Sequence, residues 1–449
     1  MDSKLDRTRQ PATQGFDGLR LDFPAPVKLS NGIPLWVIGN GEDEISRLNV
    51  YMGGGTIEEE KPMQALITGY MVMEGSAQHN SEEIAEALDY YGAWKAAQHY
   101  NNHTMISLSS LNRNFEHTVK LLCECITSPT FPGSEFDLFK SQLASNIATA
   151  SKRVTFLCNE AMNELYYGKG HPLARPLTPE GVMAVSIDDL KRFYDRYYNA
   201  NNCQIVLAGK ISQKEIDWVD QTMGQWSKQG VQLCSKPLDF KPSDVMFKMV
   251  DRPGVLQSAI GITIRAIPRR HPDYFKLRLT TTLLGGYFGS RLMTNIREEK
   301  GYTYGIQAFL AGWSEDSYVA ILSECDTRYT MRVVEEVKRE IERLKTDPVA
   351  QEELDTVRQY MLGELAKTLD TPFSMASYVS NTFLFGTYPE YFNDQVKAIE
   401  AMTVVDVKEI ANQYFKEEKM RIVIVGDKIN VKKKLIEVAG TGNIYELCT

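Results

Sequence analysis

No CxxC pair occurs in this chain, and its seven cysteines (Cys123, Cys125, Cys158, Cys203, Cys234, Cys325 and Cys448) are scattered over 449 residues. An odd, dispersed set in a long chain argues against a disulfide scaffold or a zinc ribbon and predicts a reducing compartment. No apolar run approaches the roughly 18 residues that a membrane span requires. The opening MDSKLDRTRQPATQGFDG lacks the apolar segment of a secretory signal, so the expectation is a cytoplasmic protein with no membrane partner. Basic charge is short as well: 50 Lys and Arg stand against 58 Asp and Glu, a net charge of -8. That balance argues against a nucleic-acid partner, which needs clustered cations to neutralise phosphates. The glycine-rich stretches Gly53-Gly54-Gly55 and Gly285 to Ser290 do not run into Gly-Lys-Ser/Thr, so neither is a phosphate loop.

What is present is a composition ordinary for a globular protein, 43% hydrophobic and 24% charged, arranged as an internal repeat. Ser186/Thr403, Asp189/Asp406, Tyr197/Tyr414 and Gly209/Gly426 each stand 217 residues apart. Both copies follow one local grammar: a Ser or Thr N-cap, an acid three residues on, an amphipathic helix, and a short apolar strand (QIVLAG or RIVIVG) ending at glycine. Upstream, the stripe Phe115, Val119, Leu122, Ile126 matches Val333, Val337, Ile341, Leu344, and YYGKGHP near Gly168 matches FLFGTYP near Gly386. Val27 to Ile38 reads as a hairpin about Asn31-Gly32. The expected fold is α+β: two homologous halves, each a largely antiparallel sheet covered on one face by helices, paired like a clamshell. The expected divisions are 1–226, a linker at 227–244 rich in Lys, Pro and polar residues, and 245–449.

The segment SRLMTNIREEKGYTYG, Ser290 to Gly305, reads as a short helix, a glycine stop and a strand, with Arg297 seven residues before Tyr304. Structure alone offers an account of both: an arginine near a helix C-terminus suits the helix dipole, and Tyr304, sharing a strand face with Tyr302, suits aromatic packing. His99 and His103, four apart in a stretch read as strand and turn, would stand about 13 Å apart on one strand, too far for one metal ion. His171 reads as a loop histidine. Leu66, Tyr70 and Met73 fall at helical spacing and read as a core helix.

The Ser290–Gly305 segment, the tract GHPLARPL (Gly170 to Leu177) and the repeated helix–strand unit together resemble the pitrilysin/insulinase family of zinc metallopeptidases. The likeness is to the short two-domain bacterial members related to mitochondrial processing peptidase, and it covers nearly the whole chain. Catalytic members carry H-x-x-E-H on the first long helix, shortly before a Gly-Ser or Gly-Thr, and a later glutamate completes the zinc site. Before Gly75-Ser76, the aligned positions here are Leu66, Ile67, Thr68, Gly69 and Tyr70, and the third-ligand region holds Asn146. The resemblance therefore implies no zinc in this chain and no hydrolysis by the isolated chain. It also implies roles for the Arg/Tyr pair: Tyr304 stabilises the oxyanion and Arg297 holds a substrate carbonyl. In some members these tasks are split between two chains. The expectation is thus a non-catalytic subunit of a heterodimeric zinc endopeptidase, acting on peptide or unfolded polypeptide with a zinc-bearing homologous partner. The alternative is an inert structural or peptide-binding homodimer. In two-chain relatives a longer glycine loop touches substrate; its counterpart here, 285–290, is short.

Overall fold

The computed structural model describes Thr8 and residues 18–226, 242–312, 316–428 and 445–448. The linker expected at 227–244 lies outside the described residues except for its last three positions. The first half contributes β1 (Val27–Lys28), β2 (Pro34–Ile38), β3 (Ile45–Gly53), β4 (Trp94–His99), β5 (His103–Leu111) and β6 (Cys203–Gly209). Its helices are α1 (Gln64–Met71), α2 (Ser81–Tyr91), α3 (Phe115–Thr127), α4 (Gly133–Ala150), α5 (Val154–Tyr167), α6 (Pro179–Met183), α7 (Ile187–Tyr197) and α8 (Gln213–Met223). The second half contributes β7 (Phe247–Asp251), β8 (Gln257–Arg265), β9 (Thr303–Gly312), β10 (Ser317–Asp326), β11 (Met420–Gly426) and β12 (Tyr445–Cys448). Its helices are α9 (Tyr274–Gly285), α10 (Thr330–Thr346), α11 (Gln351–Lys367), α12 (Pro372–Leu384), α13 (Tyr391–Ala401) and α14 (Val404–Tyr414). Among the described residues no helix is long and apolar enough to cross a membrane.

Two six-stranded sheets result, ordered β1-β2-β6-β3-β5-β4 and β12-β7-β11-β8-β10-β9. Leaving aside β1 and β12, the two sheets have the same topology. Pairing is antiparallel except for β2 with β6, β7 with β11, and β12 with β7. The repeat read from the sequence is the pair α7–β6 and α14–β11. Ser186 and Thr403 each close a capping box with the acid three residues on. Each acid also takes a lysine from the body of its own half: Lys61 Nζ lies 2.6 Å from Asp189, and Lys276 Nζ lies 2.5 Å from Asp406. The two helical stripes, Phe115 to Ile126 and Val333 to Leu344, are buried in their respective cores.

The expectation that helices cover one face of each sheet is too simple. Along β6, Ile205 and Leu207 face the first core, while Val206 and Ala208 pack against Ala376 and Val379 of α12, a helix of the second half. Along β11, Ile422 and Ile424 face the second core, while Val423 and Val425 pack against Val154, Cys158 and Met162 of α5, a helix of the first half. Successive strand residues point to opposite faces, so both central strands are apolar throughout because both faces are covered. Helices α5 and α12 begin 218 residues apart and are exchanged reciprocally between the halves. On the α5 side, Gly261 permits the close approach: a Cβ there would stand 2.1 Å from Met162 Sδ and 2.9 Å from Cys158 Sγ. Lys248 of β7 and Glu164 of α5 add an ion pair of 2.8 Å across the same contact.

Candidate functional site

The Ser290–Gly305 segment is fixed at almost every position. Arg291 makes a two-pronged contact with Glu353 of α11, Nε at 2.7 Å and Nη2 at 2.8 Å. Asn295 donates to Glu336 (3.2 Å) and Glu340 (2.5 Å) of α10, and Lys300 pairs with Glu336 at 2.8 Å. The helix expected here is wider than an α-helix: Met293–Glu299 winds as a π-helix, a form found mostly in short pieces and frequently at functional sites. After Gly301 the chain enters β9 at Thr303, whose hydroxyl donates to the carbonyl of Glu324 (2.7 Å) and accepts from the backbone N–H of Gly305 (3.0 Å).

Against this fixed background Arg297 and Tyr304 differ from their neighbours. Arg297 lies over the exposed ring of Phe288 at 4.7 Å and 3.4 Å from Glu298, with its side chain about one-third exposed. Phe288 belongs to the short glycine loop, so that loop touches Arg297. Tyr304, on edge strand β9, is 90% exposed. Tyr302 does not share its face. It precedes the strand and stacks on Tyr329 at 4.7 Å, half-buried. The aromatic-packing account thus fits Tyr302 and not Tyr304. Phe288 and Gly305 line a cavity of about 570 Å³, bounded on the other side by Thr155, Cys158 and Asn159 of α5.

In the first half, the positions aligned with the zinc motif lie on α1, which packs against α4. Leu66 is half-buried against the core, and Ile67 and Thr68 are fully buried. At Gly69 a Cβ would meet Thr104 Cγ2 at 2.8 Å, so the place of the motif's glutamate has little room for any side chain. Tyr70 stacks on Phe139 of α4, centroids 3.8 Å apart and planes 7° apart. Asn146 lies exposed on α4, about two turns beyond Phe139. Leucine, glycine, tyrosine and asparagine do not make a zinc donor set. Among the described residues no group of three His, Cys, Asp or Glu is placed to hold a metal ion. The α1–α4 contact at this point is an aromatic one.

The histidine pair needs a correction. His99 and His103 are not on one strand but on the two arms of the β4–β5 hairpin, with His99 opposite Thr104. The separation reckoned along a strand does not apply, and other bonds occupy them. His99 Nε2 lies 2.7 Å from Thr56 Oγ1, and His103 Nδ1 lies 2.8 Å from Asn102 Oδ1, its ring stacked on Tyr100. Burial pushes both imidazoles down, His103 to about 4 with His99 adding to the effect. His171, as expected, serves a loop: its Nδ1 accepts from Leu173 N at 3.2 Å. In the same tract, Arg175 donates to the carbonyl of Glu59 at 2.6 Å, tying GHPLARPL to the entry of α1.

No hydrogen bond, ion pair or ring contact among the described residues joins α1 to the turn bearing Arg297 and Tyr304. The signal for that turn was the spacing of the two residues, and the cavity beside it had no signal because α5 arrives from the other half.

Comparisons with known proteins agree with this architecture. Residues 37–178 match the family model described as insulinase (peptidase family M16), and residues 184–361 match the one described as the peptidase M16 inactive domain. The chain is 21% identical over 393 residues to "Uncharacterized zinc protease YmxG" of Bacillus subtilis, covering 86% of this chain and 95% of that one. It is 22% identical over 396 residues to "Non-peptidase homolog YmxG" of Helicobacter pylori, 84% and 88% covered. A more distant relative, 18% identical over 437 residues with 91% of both chains covered, is mitochondrial-processing peptidase subunit beta of Dictyostelium discoideum. The crystal structure of a peptidase M16 inactive domain from Pseudomonas fluorescens superposes with a TM-score of 0.82 at 22% identity, covering 91% of this chain and 98% of that one. With family models over both halves and this fold in common, the chain belongs to the insulinase family of peptidases, M16.

Proposed function

We propose that the chain is a non-catalytic subunit of a two-chain zinc endopeptidase, lending Arg297 and Tyr304 to a peptide bound at the partner's zinc. The observation that carries the reading is Tyr304. A phenol 90% exposed on a strand whose base is pinned by Thr303, beside a turn held by Arg291, Asn295 and Lys300, contributes little to folding. It is positioned in advance for something outside the chain. A phenolic hydroxyl can donate to an oxyanion, and a guanidinium offers a fork of donors to a substrate carbonyl without losing its proton. The cavity next to Gly305 leaves room for peptide beside the pair. Leu66, Gly69, Tyr70 and Asn146 support the other part of the reading, that zinc and general base belong to the partner. The buried free thiols Cys123, Cys125, Cys158, Cys203 and Cys325 support a reducing, cytoplasmic setting.

The test is reconstitution with a homologous chain carrying an intact H-x-x-E-H. The mixture is expected to cleave peptide well above the partner alone. Tyr304→Phe is expected to lower kcat by about 10²–10³, the usual loss for one oxyanion donor, with complex formation unchanged by size-exclusion chromatography. A mixture no more active than the partner alone would overturn the reading. A self-dimer that binds peptide without cleaving it would then be the alternative, in keeping with the non-peptidase relative.

A further inference from the structure

A second cavity, of about 600 Å³, lies wholly within the second half and plays no part in the proposed function. It is walled by α9, β9, α11, α12 and α13 and is partly open to solvent. Four of its lining groups are buried polar atoms with no hydrogen-bond partner: Arg269 Nε, the hydroxyls of Tyr378 and Tyr391, and Gln395 Oε1. Tyr391 is 6% and Gln395 1% exposed. Leaving one such group unpaired costs about 1–3 kcal/mol, and a cavity that gathers four holds unused bonding capacity.

Arginines outnumber carboxylates in the lining of the cavity. Arg269 and Arg278 both line it, and neither has a carboxylate partner among the described residues. Arg269 instead lies 3.9 Å over the ring of Phe385. The acidic residue in the lining, Glu364, is already paired with Lys367 on α11. Burial pushes the Tyr378 and Tyr391 phenols up, even though both arginines pull them down, so both remain protonated donors. Phe309, Leu310 and Phe385 add apolar wall.

We propose that this cavity binds a small organic carboxylate, its anionic end received by Arg269, Arg278, Tyr378 and Tyr391 and its flat apolar body held against Phe309 and Phe385. The volume suits a small ligand, and a guanidinium's fork of donors matches a carboxylate's two oxygens. A free aryl carboxylate and the C-terminal end of a short peptide share this chemistry.

The test uses the full chain and four probes: phenylacetate, phenylacetamide, and the tripeptide Gly-Gly-Phe with a free or an amidated C-terminus. At least one carboxylate is expected to raise the melting temperature saturably, and neither amide is. If only the tripeptide acts, the ligand is a chain end; if phenylacetate also acts, a free acid suffices. Arg278→Met is expected to weaken binding at least tenfold by calorimetry. The near-isosteric Tyr391→Phe, which removes one orphaned hydroxyl without disturbing packing, is expected to weaken it severalfold. No shift with either carboxylate, equal shifts with the amides, or unchanged affinity in both variants would each overturn the proposal.

Discussion

The two helix exchanges occupy equivalent places and are held by different chemistry. Helix α12 lies on the first sheet through aromatic rings: Phe383 meets Trp36 at 5.8 Å and Tyr51 at 5.5 Å, and Phe23 meets Trp36 at 5.5 Å. Helix α5 lies on the second sheet through sulfur and a glycine, with Met162 and Cys158 pressed over Gly261. By register, Gly261 is matched in the first sheet by Asn49, since β8 pairs Gly261 with Val423 and β3 pairs Asn49 with Val206, a residue 217 positions earlier. The topology fixes that a helix must cross and leaves open how its contact is made. The crossing made over a glycine is the one beside the cavity of the Arg297–Tyr304 turn.

That contrast can be broken in order of size. Phe383→Ala removes the ring that bridges Trp36 and Tyr51, and is expected to cost about 2–4 kcal/mol in denaturant unfolding. Gly261→Val forces a side chain under Met162 and Cys158, and is expected to cost about 1–3 kcal/mol as overpacking. It should also lower the activity of the reconstituted complex, because α5 forms a wall of the cavity, whereas Phe383→Ala acts on stability alone. The repeated caps sharpen the comparison further. Burial pushes the Asp189 carboxyl up, but the bonds from Lys61 and Ser186 outweigh it and hold the group at about 2. A carboxylate depressed in the folded state stabilises fully above its unfolded pKa of about 4, and that contribution fades as pH falls toward 2. Asp189→Asn is therefore expected to cost about 1–2 kcal/mol at pH 7 and almost nothing near pH 2, read from urea midpoints at several pH values. Asp406, depressed in the same way by Lys276 and Thr403 but less buried, is expected to show the smaller effect.

The parts of this molecule legible in the sequence are those whose physics is local. A serine followed by an acid three residues on is a capping box wherever it falls, so α7 and α14 were visible with their strands. The stripes of α3 and α10 needed only helical periodicity. Two apolar strands, by contrast, did not reveal that the second face was covered by the other half. The β4–β5 hairpin carries no such signal: its turn, Tyr100 to Asn102, has no glycine, so His99 and His103 read as collinear in the sequence. Tyr302 and Tyr304 alternate correctly for a strand, but the strand begins between them. At the candidate site, spacing singled out Arg297 and Tyr304, while the carboxylate-binding cavity draws on residues from Arg269 to Gln395 that only tertiary structure brings together.

The reciprocal exchange of α5 and α12 has a consequence for how the molecule assembles. Each half lends one helix and receives one at the same place, which is the geometry of a domain-swapped two-fold dimer written into one polypeptide. Neither half presents a finished surface when separated, since the outer faces of β6 and β11 would be bared as apolar strips. The halves should consequently melt in a single transition and fail to persist as separate fragments, and co-expressed fragments should find each other by covering one another's sheets.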